Sequence, residues 1–270
     1  MTFLRILFKI LAGLVVVILI FLAFALAPVD DTPYQEMPYY AQTKQRLAQL
    51  TTSPAARHGL LAGWSKVNIT PSHTTPTGGY GERLGKHWQT LSDSIFARAI
   101  MLDNGGTKVA IVALDLVITP PTVTEALKKR LPEVGLLWET VYMGAIHSHN
   151  SMGGWAPRLV GQLIAGGYDE EIVKQITDGV LAAIRKAQMK MEPVQIAFGE
   201  TDASDMISNR LSSSGPTGTL DGKIRLLEFR KRSGESALLC SFAGHPKLFD
   251  GHTCSYLSRD YPASLVDRLE

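Results

Sequence analysis

The first 29 residues contain the longest apolar run of the chain. From Ile10 to Val29 there is no charged residue over 20 positions, which is about the length that a helix needs to cross roughly 30 Å of hydrocarbon. Arg5 and Lys9 precede this run, and Asp30 and Asp31 follow it. Because basic residues stay on the cytoplasmic side, the pattern predicts a cytoplasmic N-terminus and an exported remainder.

A cleaved signal peptide is the competing interpretation of the same segment. Ala25-Leu26-Ala27 has the small residues of a cleavage site. The apolar run is longer than the core of a usual signal peptide, and Pro28 directly after the site should hinder cleavage. We therefore predict a transmembrane anchor within residues 1–29, with the rest of the chain periplasmic or extracellular. A signal peptide would instead make the protein secreted.

A polar stretch separates the apolar run from the rest of the chain. Residues 30–60 contain Pro33, Pro38 and Pro54, and their pattern predicts one short helix near Tyr40 to Leu50. We interpret this stretch as a stalk or lead-in to a domain that begins at residue 61.

Strand-like runs dominate the chain after residue 61. Ile95–Leu102 and Lys108–Ile118 flank the turn residues Asp103–Gly106 and predict a hairpin. The second run is apolar at nearly every position, as expected of a strand that is covered on both faces. Thr140–Ile146 predicts another buried strand. Further strands are predicted at AGWSKVNITP, VQIAFG, KIRLLEF and ALLCSFAG.

Two amphipathic helices lie between these strands. One opens at Pro120-Pro121 and ends at Pro132, and the other extends from about Asp169 to Gln188 with one apolar stripe. Strands that alternate with helices, with hairpins at both ends, indicate an α/β domain with a mixed sheet and flanking helices. The predicted fold is this domain, preceded by one transmembrane helix.

Composition and charge narrow the class of protein. The chain is 45% hydrophobic and 19% charged, which argues against disorder. The 241 residues after residue 29 carry 25 basic and 25 acidic side chains, since Arg5 and Lys9 account for two of the 27 basic ones. A neutral domain without a basic run longer than three residues lacks the positive surface that phosphate backbones require, so a nucleic-acid partner is excluded.

Cys240 and Cys254 are the two cysteines of the chain. An exported compartment would permit a disulfide between them, but a core of this size does not need one. Pairing and two free thiols both remain open.

Histidines follow two of the predicted strands. His147 and His149 come directly after Thr140–Ile146, and residues two apart on an extended chain point to the same side. His245 stands at the end of ALLCSFAG, and His252 is close by. Imidazole is the commonest metal ligand, so these residues are candidates for a zinc site. The alternative is hydrogen-bonded loop histidines.

Three further features are candidates for the same site. Asp115, late in an apolar strand, must be paired to be tolerated, and it could orient a histidine or be a structural carboxylate. Arg210 could bind a substrate oxygen or form a surface salt bridge. The glycine-rich loop Thr77–Gly81 could let backbone approach a ligand closely, or could be an ordinary turn.

Other hydrolase and nucleotide-binding signatures are absent from the sequence. There is no Gly-X-Ser-X-Gly elbow, phosphate-binding Gly-X-X-X-X-Gly-Lys loop or His-Glu-X-X-His helix. An amidohydrolase barrel places its His-X-His on the first strand, whereas several strands precede His147 here.

Taken in order, the motifs from Ala62 to Glu270 resemble the N-terminal half of the neutral/alkaline ceramidases, which hydrolyse the amide bond of ceramide. GAIHSHNSMGG is similar to that family's Thr-His-Thr-His-Ser-Gly-Pro-Gly-Gly. The other stretches that carry the resemblance are AGWSKVNITP, GGYG, FARAIML, ALDL, DEEIVKQITDGVLAAIRKAQ, SNR and FAGHPKLF.

The resemblance implies a zinc enzyme with a lipid substrate. It assigns the zinc ligands to His147 and His245, and a catalytic place on the substrate side to His149 and Arg210. The residues that it assigns to the pocket wall are Gly79, Tyr80 and Gly81. Zinc would activate a water and polarise the amide carbonyl, while His149 moves a proton or holds the developing oxyanion.

The chain also departs from the family pattern. Asn150-Ser151-Met152 replaces the usual Ser-Gly-Pro, and a later Glu and Tyr of the zinc shell and a later Ser have no counterpart here. The sequence stops within the helix-like stretch before Glu270, so we expect residues 61–270 to be the first portion of a longer catalytic domain, inactive alone. Two alternatives remain: a metal-dependent hydrolase of another amide or ester, and a catalytically silent, membrane-anchored binding protein.

Overall fold

A computed structural model describes residues 2–25, 30–50, 59–209, 220–248 and 255–270. Arg210, His252 and Cys254 lie outside the described residues. Both alternatives for Cys240, which is exposed, therefore stay as the sequence left them: a disulfide to Cys254 or a free thiol. The chain divides into two compact units, residues 1–52 and 53–270.

The first unit contains two helices, α1 (Thr2–Ala25) and α2 (Pro38–Gln49). Within α1, Phe3–Ala23 has a mean hydropathy of 3.0 and none of it is buried, so the helix is long and apolar enough to span a membrane. A signal sequence has the same properties. The short helix predicted near Tyr40 is confirmed as α2.

The second unit is built on a mixed sheet. The strands are β1 (Leu61–Asn68), β2 (Thr90–Leu91), β3 (Phe96–Asp103), β4 (Lys108–Leu114), β5 (Val141–Ala145), β6 (Glu192–Asp202), β7 (Lys223–Lys231), β8 (Ser236–Ser241) and β9 (Tyr256–Leu257). Seven of them form one sheet in the order β5-β4-β3-β1-β6-β7-β8, in which β4 and β5 are parallel and the other pairs antiparallel. The short strands β2 and β9 pair in parallel.

The other helices of this unit are α3 (Pro121–Arg130), α4 (Leu159–Ala165), α5 (Glu170–Gln188) and α6 (Tyr261–Leu269). An α/β fold with a mixed sheet and flanking helices is thus confirmed. The predicted hairpin is β3–β4, where the Asn104 side chain accepts hydrogen bonds from the backbone of Gly106 and Thr107 and so closes the turn.

Helix α5 packs across the sheet because its apolar stripe meets small residues there. Asp169 caps its first turn by accepting a hydrogen bond from Glu171 N, 2.9 Å away. A Cβ added at Gly63 of β1 would lie 2.2 Å from the Ala187 carbonyl oxygen, so only glycine allows this close approach. Ser65 Oγ donates to the Ala183 carbonyl at 2.7 Å. The helix is therefore fixed directly against the strand.

Two expectations about burial differ from the structure. In β4 Ala110, Val112 and Leu114 on one face are fully buried, whereas Ile111 and Ala113 on the other face are only half-buried. The prediction of a buried strand at Thr140–Ile146 is wrong: β5 forms one edge of the described sheet, and Tyr142 is 71% exposed. A short apolar run does not tell an edge strand from a central one.

Candidate metal centre

Two loops from opposite edges of the sheet build the candidate site. The first leaves β5 and carries His147 and His149, and the second leaves β8 and carries His245. In the described residues these three histidines form a group that could hold a metal ion, with their ligand atoms within 4.8 Å of one another. The sequence predicted each strand end, and the fold brings the two ends together.

The imidazole nitrogens converge at the spacing of metal ligands. His149 Nε2 lies 3.2 Å from His147 Nε2 and 3.0 Å from His245 Nε2. Two nitrogens that bind one zinc ion at about 2.0–2.1 Å in tetrahedral geometry are roughly 3.3 Å apart. An ion held by two of these rings would therefore lie beside the third ring.

Backbone carbonyls fix the tautomers of two of these rings. His147 Nδ1 lies 2.6 Å from the Val117 carbonyl oxygen, and His149 Nδ1 lies 3.1 Å from that of Gly79. Because a carbonyl oxygen only accepts, each Nδ1 carries the hydrogen and each Nε2 presents its lone pair. Two lone pairs then face each other at 3.2 Å, an arrangement that a cation bound beside them would relieve. The donor set thus fits a metal ion such as zinc.

The backbone of His147 is held in an uncommon conformation. Its φ is 68°, in the left-handed region that non-glycine residues rarely adopt. Its N–H donates to the Leu116 carbonyl at 2.9 Å. Such strain persists only where the surroundings over-determine it, and it concentrates at functional sites.

The electrostatic environment keeps His149 neutral. Burial, together with the neighbouring His147 and His245, lowers the pKa of His149 from its ordinary value to about 4. Neutral imidazole is the form that binds a metal. An unprotonated Nε2 can also accept a proton but cannot donate to an oxyanion, so the geometry favours the accepting role of His149.

Arg83 holds the loop that carries His149 through hydrogen bonds, and it was not among the site residues predicted from the sequence. This buried guanidinium donates to the His149 carbonyl at 3.0 Å, to Thr77 Oγ1 at 2.8 Å and to Asn150 Oδ1 at 2.5 Å. An arginine shortly after a glycine-rich loop has no sequence signature that distinguishes it from a surface residue. Its burial becomes visible only in the fold.

The glycine-rich loop contacts the site through two of its three predicted residues. Gly79 has φ +118°, and a Cβ there would lie 2.9 Å from His149 Nδ1. The Tyr80 ring packs on the His149 ring with 4.8 Å between centroids. Gly81 faces α4 instead, since a Cβ there would meet the Leu163 carbonyl oxygen.

Asp115 is paired with arginines and backbone, not with a histidine of the described chain. Its Oδ2 accepts from Phe96 N at 2.9 Å and from Arg98 at 2.8 Å, and Arg259 Nε lies 3.7 Å away. These contacts support the interpretation of Asp115 as a structural carboxylate. Arg210 lies outside the described residues, so its role stays a prediction.

Two solved structures with the same fold carry the name ceramidase. The neutral ceramidase from Pseudomonas aeruginosa superposes with a TM-score of 0.65 at 21% identity, over 75% of this chain and 34% of that one. A structure titled "Ceramidase complexed with C2" gives 0.67 at 22% identity, over 75% and 33%. The chain thus spans about a third of the length of these solved relatives.

Sequence comparison gives the family. Neutral ceramidase of Pseudomonas aeruginosa is 26% identical over 105 residues, which cover 36% of this chain and 16% of that protein. The family model described as "Neutral/alkaline non-lysosomal ceramidase, N-terminal" matches residues 60–216, more than half of the chain. The chain therefore belongs to the neutral/alkaline non-lysosomal ceramidase family.

Proposed function

We propose that this chain provides part of the active site of a zinc-dependent amidohydrolase that cleaves the N-acyl amide bond of ceramide into sphingosine and a fatty acid. The observation that carries the proposal is the convergence of three imidazole Nε2 atoms, two of them with Nδ1 held by a backbone carbonyl. Family membership supports the reaction class.

In this proposal His147 and His245 hold the metal, and His149 stands beside them. Zinc, when bound, supplies a Lewis acid that polarises a carbonyl and makes a water acidic. The Val117 carbonyl fixes the ring of His147 so that Nε2 faces the shared centre. His245 closes the group from the opposite side, 3.0 Å from His149.

His149 is proposed to receive the proton of the attacking water. Hydrolysis adds water oxygen to the amide carbon, breaks the C–N bond and sends a proton to the departing amine. His149 Nε2 is unprotonated and Nδ1 is anchored to Gly79, so one nitrogen orients the ring while the other accepts. Tyr80 against the same ring would form a wall of the pocket, and Arg210 is proposed to contact the substrate.

An apolar surface beside the site supports a lipid substrate. Helix α4 turns its large side chains outward: Leu159, Val160, Leu163 and Ile164 are between 47% and 77% exposed. The Ile164 carbonyl accepts a hydrogen bond from Gly79 N at 3.2 Å, which joins this helix to the loop that contacts His149. Exposed apolar side chains in one cluster mark contact surfaces. We assign α4 to contact with the acyl chains of the substrate.

The N-terminal segment would keep the enzyme beside this substrate. We propose that residues 1–29 anchor the protein in the membrane, with residues 30–60 as a stalk and the domain from residue 61 outside the cytoplasm. Retention of α1 in the membrane fraction after alkaline extraction is the expected result. Recovery of a shorter chain in the medium would instead establish a cleaved signal peptide.

Labelled ceramide is the most direct assay of the proposed reaction. The protein produced from its own gene should release fatty acid from ceramide in mixed micelles, with activity lost on chelation and restored by zinc. Leu163→Asp should raise the KM for ceramide, whereas the matched change Leu137→Asp, at a 62% exposed leucine before β5, should not. Turnover of short soluble amides without turnover of ceramide would contradict the lipid assignment.

A further inference from the structure

One segment, Ser258 to Tyr261, contacts both histidine loops. On one side it is bonded to the loop of His147 and His149: Ser148 Oγ donates to the Ser258 carbonyl at 2.7 Å, and Ser258 N donates to the Asn150 carbonyl at 2.9 Å. The same segment therefore fixes the residues on either side of His149.

On its other side the segment holds the loop of His245. The Tyr261 hydroxyl donates to the Gly244 carbonyl at 2.6 Å, immediately before His245. The Asp260 carboxylate accepts from Leu248 N at 3.1 and 3.2 Å, three residues after His245. Both hydrogen bonds join a side chain to the backbone of the loop, so they constrain its path on each side of the imidazole.

Asp260 is buried and has a strained backbone conformation. It is 3% exposed, with φ 60° and ψ −156°, a backbone region that is nearly exclusive to glycine. Its carboxylate also caps α6 through Tyr261 N at 2.7 Å, and its own N–H donates to Ser258 Oγ at 2.9 Å. The strain is therefore maintained by bonds on both sides of the residue.

Close packing leaves the loop little freedom around Tyr261. A Cβ added at Gly244 would lie 2.6 Å from the Phe242 ring and 2.9 Å from the Tyr261 hydroxyl. The rings of Phe242 and Tyr261 meet edge to face, with 6.5 Å between centroids. Glycine at position 244 permits this approach, and the tyrosine hydroxyl then fixes it.

We propose that Asp260 and Tyr261 are positioning residues that set His245 against His147 and His149. The two histidine loops leave opposite edges of the sheet, so their separation is not defined by strand pairing alone. The hydrogen bonds that the segment from Ser258 to Tyr261 makes with both loops define this separation instead. This inference rests on the proposed metal-binding role of the histidines.

The test measures zinc binding by calorimetry, beside thermal unfolding of the zinc-free protein. Tyr261→Phe removes the hydroxyl and keeps the ring, and it should weaken zinc binding by roughly 10–100-fold, as loss of groups that orient metal ligands does. Asp260→Gly removes the acceptor and suits the φ of 60°, so it should lower zinc affinity with little change in unfolding temperature. Asp260→Asn keeps one acceptor oxygen and should restore part of the affinity.

The controls separate this inference from the proposed function. Tyr142→Phe, a change at an exposed tyrosine on β5, should bind zinc as the wild type does. If the wild-type protein binds no zinc, the proposed function fails. If the wild type binds zinc and His245→Ala loses it, but Tyr261→Phe and Asp260→Gly keep wild-type affinity, the positioning role alone is refuted. A loss of affinity that only parallels a loss of unfolding temperature also refutes it.

Discussion

Substitution of alanine for Gly79 should damage both the fold and the metal site. Gly79 has φ +118°, and an added Cβ would lie 2.9 Å from His149 Nδ1 and 3.0 Å from both its Cγ and its Cα. Rotation of the imidazole alone cannot relieve the clash, because one of the three atoms belongs to the backbone.

The magnitude follows from two separate costs. An L-residue in this backbone region costs about 1–3 kcal/mol, and forcing a methyl group into a packed site costs about another 1–3 kcal/mol. The free energy of unfolding should therefore fall by about 2–6 kcal/mol, which lowers Tm by roughly 5–20 °C in a domain of about 200 residues. The displaced His149 should also lower zinc affinity.

Gly135→Ala is the matched control for this change. Gly135 has φ +69°, but a Cβ there meets no atom within 4 Å. The residue lies in the connection between α3 and β5, before the strand whose far end carries His147 and His149. Only the backbone cost of about 1–2 kcal/mol should appear, with zinc affinity unchanged. Thermal unfolding and zinc calorimetry on both variants separate the backbone cost from the clash with His149. Equal loss of stability in the two, with zinc affinity retained in Gly79→Ala, would refute the reasoning.

Two further predictions concern His149 and Asp115. Because the folded protein lowers the pKa of His149 to about 4, the unfolded chain binds more protons between its ordinary pKa and 4. Stability of the zinc-free protein should fall as pH drops through that window. Urea unfolding at pH 7.5 and 5 should show a smaller loss for His149→Gln than for wild type, and an equal loss would contradict the assignment. Asp115→Asn should cost about 1–3 kcal/mol, since it removes the charge that accepts from Arg98 at 2.8 Å, while Arg98 keeps Glu270 and Arg259 keeps Asp93 and Asp267. Zinc affinity should stay unchanged, and a loss in the folded variant would show that Asp115 orients a histidine.

Local pattern was sufficient for much of the fold. The apolar stripe of α5 and the turn residues of the β3–β4 hairpin predicted elements that the structure confirms, because both signals depend on neighbours within a few residues. Burial was harder to predict. The edge position of β5 depends on which strands lie beside it, and the local sequence pattern does not record this.

The candidate site was only partly predictable. His147 and His149 share one strand end, so their proximity follows from strand geometry. Their meeting with His245 depends on chain paths almost a hundred residues apart. The bonds of Asp115 to Arg98 and of Asp260 to Leu248 join residues with no common local pattern. These contacts arise from tertiary packing.

Zinc titration of the purified protein tests the central claim most directly. One zinc ion should bind per chain, with affinity lost in His147→Ala and in His245→Ala while circular dichroism shows the fold intact. Asn104→Ala, a change in the β3–β4 turn, should leave the stoichiometry at one. Absence of zinc binding in the wild type, or full binding in both histidine variants, would contradict a metal centre at these residues.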